Sequence, residues 1–169
     1  MSTDAVGLAR PSRAASAVLI GAGLATIAGG VLVLDYGQPV ARSPREILRE
    51  TPMSSQAWLD MATQDFHETR TLGPKALRYL ELSWETGPHE GQIMARRALL
   101  GVVAWEQLPA AFQKRVLVDL AASLTYLPEI PELQLRLVVA AKNDAARREL
   151  RAGLLGMQVA EQRIVGLGL

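Results

Sequence analysis

Cysteine is absent from this 169-residue chain, so no disulfide, thiolate metal site or thiol nucleophile can form. The absence fits an oxidising compartment as well as a reducing one and does not fix location. A surplus of one charge is missing too: 18 Lys and Arg face 17 Asp and Glu. Two of the basic residues and one acidic residue fall in the first 34 positions, leaving 16 of each behind them. Nucleic-acid binding normally demands a basic face, and so balanced a chain has no such footprint. Strand-like alternation is also lacking. Ala and Leu dominate, and β-branched residues are modest outside the first segment, which favours helix over sheet. Aromatic residues make up only 5% of the chain. Trp58, Trp84 and Trp105 are unfavourable to expose, so they are expected in the core at helix crossings.

Recognisable chemistry is missing as well. There is no nucleophile elbow, phosphate-binding loop, dinucleotide fingerprint or zinc-binding helix motif. Of the two histidines, His67 shares a helix face with Asp60 and Gln64, a set one strong ligand short of a zinc site. His89 follows Pro88, and Glu90 beside it suits the start of a helix. Glu81 and Glu85 stand four apart on one helical edge with Arg78 in reach, a routine surface arrangement. The expectation is a protein with no catalytic residues, no cofactor and no metal.

What the chain does have begins with a long uncharged run. Residues 14–34, AASAVLIGAGLATIAGGVLVL, contain no ionisable side chain. As a helix these 21 residues would reach about 31 Å, the thickness of a bilayer's hydrocarbon core. A cleaved secretory signal has an apolar core of about 7–15 residues and a small-residue cleavage site. Leu32-Val33-Leu34-Asp35 is a poor cleavage sequence, so the run predicts a transmembrane helix that is retained. Ala17, Gly21, Ala25 and Gly29 recur every fourth position, aligning small side chains for close helix packing with a second copy or a partner's span. Arg13 abuts one end and Asp35 the other, which favours an N-terminus inside and the large domain outside the cytoplasm.

The rest divides at proline and glycine. Residues 1–13 form a short tail, 35–42 a linker and 43–169 a helical-hairpin domain. Ser43-Pro44-Arg45-Glu46 predicts a capping box opening a short helix that Thr51-Pro52 ends. Helices are predicted at 55–70, 74–86, 90–105, 109–124, 131–142 and 144–164, the last four residues fraying. Two- to six-residue turns make such helices fold back as antiparallel hairpins. Ala76, Leu80, Ser83 and Pro88 recur as Val116, Leu120, Ser123 and Pro128, a period of 40 residues in the range of stacked helical repeats.

Ala57-Trp58-Leu59-x-Met61-Ala62, followed by Ala76, Leu80, Ser83 and Pro88, resembles a tetratricopeptide repeat over about residues 55–128. The resemblance implies a right-handed stack of hairpins, with a tryptophan opening the first helix and a proline closing the unit. Departures are a unit two residues longer than usual, Asp65 where an aromatic is expected, and no tryptophan opening the second unit. With Ser83-Trp84-Glu85-Thr86-Gly87-Pro88-His89-Glu90-Gly91 and Trp105-Glu106-Gln107-Leu108-Pro109, the layout is similar to small alphaproteobacterial inner-membrane proteins. These are associated with export or assembly of surface polysaccharides. The resemblance implies a single-pass inner-membrane protein with a periplasmic domain.

Stacked hairpins present a concave face made mainly by the first helix of each pair. With Trp58 turned to the core, Gln56, Thr63, His67 and Arg70 are expected to line that face and bind a protein partner. The alternative expectation is a noncatalytic structural subunit held in a homo-oligomer or hetero-complex through its transmembrane helix.

Overall fold

A computed structural model describes residues 42–126 and 132–169. The described residues are all helical: α1 (Pro44–Glu50), α2 (Ser55–Thr69), α3 (Pro74–Thr86), α4 (Gly91–Val103), α5 (Ala110–Tyr126), α6 (Glu132–Ala140), α7 (Asp144–Gly156) and α8 (Glu161–Gly166). A 3-10 turn, Trp105–Gln107, joins α4 to α5. None of these helices is long and apolar enough to cross a membrane. The run 14–34 and its small-residue positions Ala17, Gly21, Ala25 and Gly29 lie outside the described residues.

Local chemistry explains the helix starts. The Ser43 amide donates to Glu46 Oε2 at 2.8 Å while Ser43 Oγ accepts from the Glu46 amide at 3.3 Å, the reciprocal capping box read from the sequence. Ser54 and Asn143 each accept from an amide in the first turn of α2 and α7. Pro74 occupies the first turn of α3, where its missing N–H is no loss.

Neighbouring helices pair, α2 on α3 and α4 on α5. Across pairs, α4 touches α2 and α6, and α5 touches α7. Thus α4 is central and buried on almost every side, from Ile93 to Val102. Gly101 is required there: a Cβ at that position would strike the Val116 side chain, so its absence lets α4 and α5 approach. Gly153 does the same for α7 against Leu117 of α5.

Three helices bury an apolar stripe. Ala76, Leu80, Ser83 and Trp84 of α3 are buried, as are Val116, Leu120, Ser123 and Leu124 of α5 and Ala146, Leu150 and Leu154 of α7. The six helical positions read as a 40-residue recurrence all lie in the interior. The helices themselves begin 36 residues apart, Ser55 to Gly91 and Pro74 to Ala110. The two spacings differ by about one helical turn, which returns a side chain to the same face. Pro128 lies outside the described residues.

Two expectations are corrected. The helix predicted at 144–164 is two, because Gln158 takes a left-handed backbone (φ 61°) between α7 and α8. The C-terminus does not fray: Leu167 is buried, and Arg151 Nη1 donates to the Leu169 carbonyl at 2.6 Å. Folding the chain back at Gln158 places Ile164 and Leu167 in the core, as a continued helix would not.

Candidate functional site

Gln56, Asp60, Thr63 and His67 follow one another at helical spacing along α2, so they share a face. Gln56 is exposed and its amide reaches Asp60 Oδ2 at 3.2 Å. Thr63 and His67 are half-buried, and the Thr63 hydroxyl turns back to the Leu59 carbonyl at 2.9 Å. Arg70 is exposed just past this run, closing α2 in a left-handed conformation with φ 58°. The structure thus brings three of the four expected contact residues onto one face and sets Arg70 at its end.

The face continues onto the next hairpin. Arg96 Nη2 of α4 donates to Asp60 Oδ1 of α2 at 2.7 Å. Both side chains are about a quarter exposed, so water screens the pair and its own contribution to stability is small. Its value is alignment. Gln92 and Arg96 stand 36 residues beyond Gln56 and Asp60, and the Asp60–Arg96 bond holds the two sets side by side. Asp60 and Arg96 belong to this face, beyond the four residues expected from the sequence.

Behind the face lies a second polar assembly, centred on the interior. Arg97 is fully buried. Its Nε donates to Asp119 Oδ2 at 2.8 Å, and its Nη1 donates to the carbonyls of Ser83 and Gly87, each at 2.9 Å. Trp84 Nε1 donates to the same Asp119 oxygen at 2.7 Å. Trp84 meets Phe112 edge-on with centroids 5.6 Å apart, and the guanidinium of Arg115 lies over its ring. Burial pushes the Asp119 carboxyl above its ordinary value, while the bonds and charge of Arg97 and the Trp84 bond pull it down. This cluster ties α3, α4 and α5 together at one point. Its groups are engaged with one another, which makes it a fold-specifying element.

Two of the three tryptophans expected in the core are buried and one is not. Trp105 is 2% exposed, its Nε1 bonded to Glu149 Oε2 at 2.9 Å, and Trp84 is buried. Trp58 is half-buried instead: its ring stacks on Tyr79 at 5.8 Å and its Nε1 donates to the Pro52 carbonyl at 2.8 Å. It closes the α1–α2 turn over the α2–α3 pair. Arg78 pairs with Glu81 at 2.6 Å and lies 3.7 Å from Glu85, the surface arrangement that the spacing implied. Comparison of the chain with protein-family models, with curated proteins and with solved structures finds no match.

Proposed function

We propose that this chain is a membrane-anchored protein–protein interaction module. In this reading residues 14–34 span the membrane once, and the hairpin domain, a tetratricopeptide-like right-handed stack, docks a partner at the membrane surface. The inner-membrane setting, the periplasmic side and a role in export or assembly of surface polysaccharides come from the sequence resemblance.

The observation that carries the reading is a polar face continuous across two hairpins: Gln56, Asp60, Thr63 and His67 on α2, joined through Asp60 to Arg96 on α4. Side chains on rigid helices, held in register by an inter-helix bond, suit recognition of a peptide segment or helix. The interior charges contribute packing and specificity rather than chemistry.

A second reading, a noncatalytic structural subunit held through its span, is favoured by the four-residue recurrence of Ala17, Gly21, Ala25 and Gly29. The anchor is tested by washing membranes with carbonate and sequencing the mature N-terminus. Retention in the membrane with an intact N-terminus is the expected result; release, or a mature chain starting beyond Leu34, contradicts the anchor.

A further inference from the structure

Helix α1 has two unlike flanks. Ile47 and Leu48 are half-buried, in keeping with the packing of α1 on α2. Glu46 and Glu50 stand four apart on one flank, and both are engaged: Glu46 in the capping box, Glu50 with Arg42. Arg45 and Arg49 stand four apart on the other, exposed and, among the described residues, without a side-chain hydrogen bond or ion pair. Four residues beyond Arg49, Met53 is 68% exposed. The turn that carries Met53 is fixed by the Trp58 indole, which donates to the Pro52 carbonyl at 2.8 Å. The turn so fixed presents an exposed methionine just after α1, in a domain with few exposed large apolar side chains among its described residues.

The covalent chain limits what this flank can meet. If residues 14–34 cross the bilayer, only Asp35 to Arg42 separate them from α1, and eight extended residues reach at most about 28 Å. We propose that the Arg45–Arg49 flank of α1, together with Met53 in the turn that follows it, rests on the anionic phospholipid headgroups of the bilayer that anchors the chain. The proposal depends on the anchor reading above. Arginine forks pair with lipid phosphates, and methionine is flexible and apolar enough to enter the headgroup–acyl boundary. Each cation close to an anionic leaflet brings about a fivefold gain in affinity. Two such cations bind weakly in free solution, but the short tether supplies an effective concentration in the millimolar range.

Because cysteine is absent, Met53→Cys creates a unique labelling site. The full chain carrying an environment-sensitive fluorophore there is reconstituted in nanodiscs of phosphatidylcholine with or without one third phosphatidylglycerol. With the anionic lipid, the emission shifts to the blue and is quenched by a nitroxide placed at headgroup depth. Arg45→Glu with Arg49→Glu abolishes both effects, as does raising the salt, while circular dichroism verifies that the helices remain. A label that reads as aqueous in both lipid mixtures, on a chain that stays in the disc, overturns docking alone. Protection from a soluble quencher without quenching by the nitroxide means that protein covers the flank, and also overturns it. Failure of the chain to remain with the discs overturns both the anchor and the docking.

Discussion

Arg96 and Arg97 are neighbours in sequence and opposites in use. Successive residues on a helix point about 100° apart, and on α4 that turn separates the open polar face from the protein interior. Arg96 keeps about a quarter of its side chain in water and joins α2 through Asp60. Arg97 is withdrawn from water completely and meets Asp119, two backbone carbonyls and the face of Trp84. The same cation thus serves in one case as an exchangeable contact and in the other as a fixed strut. The difference is one of dielectric: an exposed pair is screened, whereas a buried pair is only as good as its complete set of partners.

The sharpest way to break the comparison is to remove one interior partner. Asp119→Asn leaves Arg97 buried without its counter-ion and should cost about 3–5 kcal/mol in urea unfolding. Arg97→Met should be milder, since an abandoned carboxyl can take up a proton while a guanidinium cannot lose one. Asp119 already has a raised folded-state value. Its contribution to stability is therefore full below the unfolded aspartate value of about 3.9 and declines as pH rises through the folded value. Arg97→Met removes the main downward pull, so that decline moves to higher pH and deepens. Unfolding curves from pH 4 to pH 8 check the sign.

The tryptophans offer a second contrast. Trp105→Ala empties a ring-sized space beneath Glu149 and should cost about 3–5 kcal/mol. Trp58→Ala removes a half-exposed stack and one hydrogen bond, about 1–2 kcal/mol. Thermal melts of the two variants order them; a larger loss for Trp58 would restore it to the core.

The smallest effect belongs to the open face. Arg96→Ala should change stability by less than about 1 kcal/mol, since it removes only a screened pair. Urea titration measures this, and a loss comparable to that of Asp119→Asn would erase the distinction between the two regions.

Much of the helical layout was legible because proline and glycine mark the turns. Pro74 and Thr86 bound α3 as read, and the capping box at Ser43 has both its bonds. The break at Gln158 was not legible, since a glutamine in the left-handed region carries no sequence signal and tertiary burial of Ile164 and Leu167 decides it. Arg97 and Asp119 were missed for a different reason, as charges in amphipathic helices usually face water. A signal existed: Arg97 sits in the apolar stretch Ile93–Val103, and a buried Trp84 indole needs an acceptor on another helix. Trp105 lies in the core as expected, because the 3-10 turn folds it inward. Of the expected contact residues, Gln56, Thr63 and His67 share a face as their spacing implied, whereas the role of Asp60 required knowing that α4 lies beside α2.

The most direct test of the account compares two full-length variants in gently solubilised membranes. In one, residues 14–34 are replaced by an unrelated apolar span without the small-residue recurrence; in the other, Gln56, Thr63, His67 and Arg70 are changed to alanine. Quantitative mass spectrometry of co-purified proteins, with melting measured in parallel, should show partners retained by the span replacement and lost by the face variant at unchanged stability. Partners lost with the span and kept by the face variant would contradict the account and make the transmembrane helix the working part of the molecule.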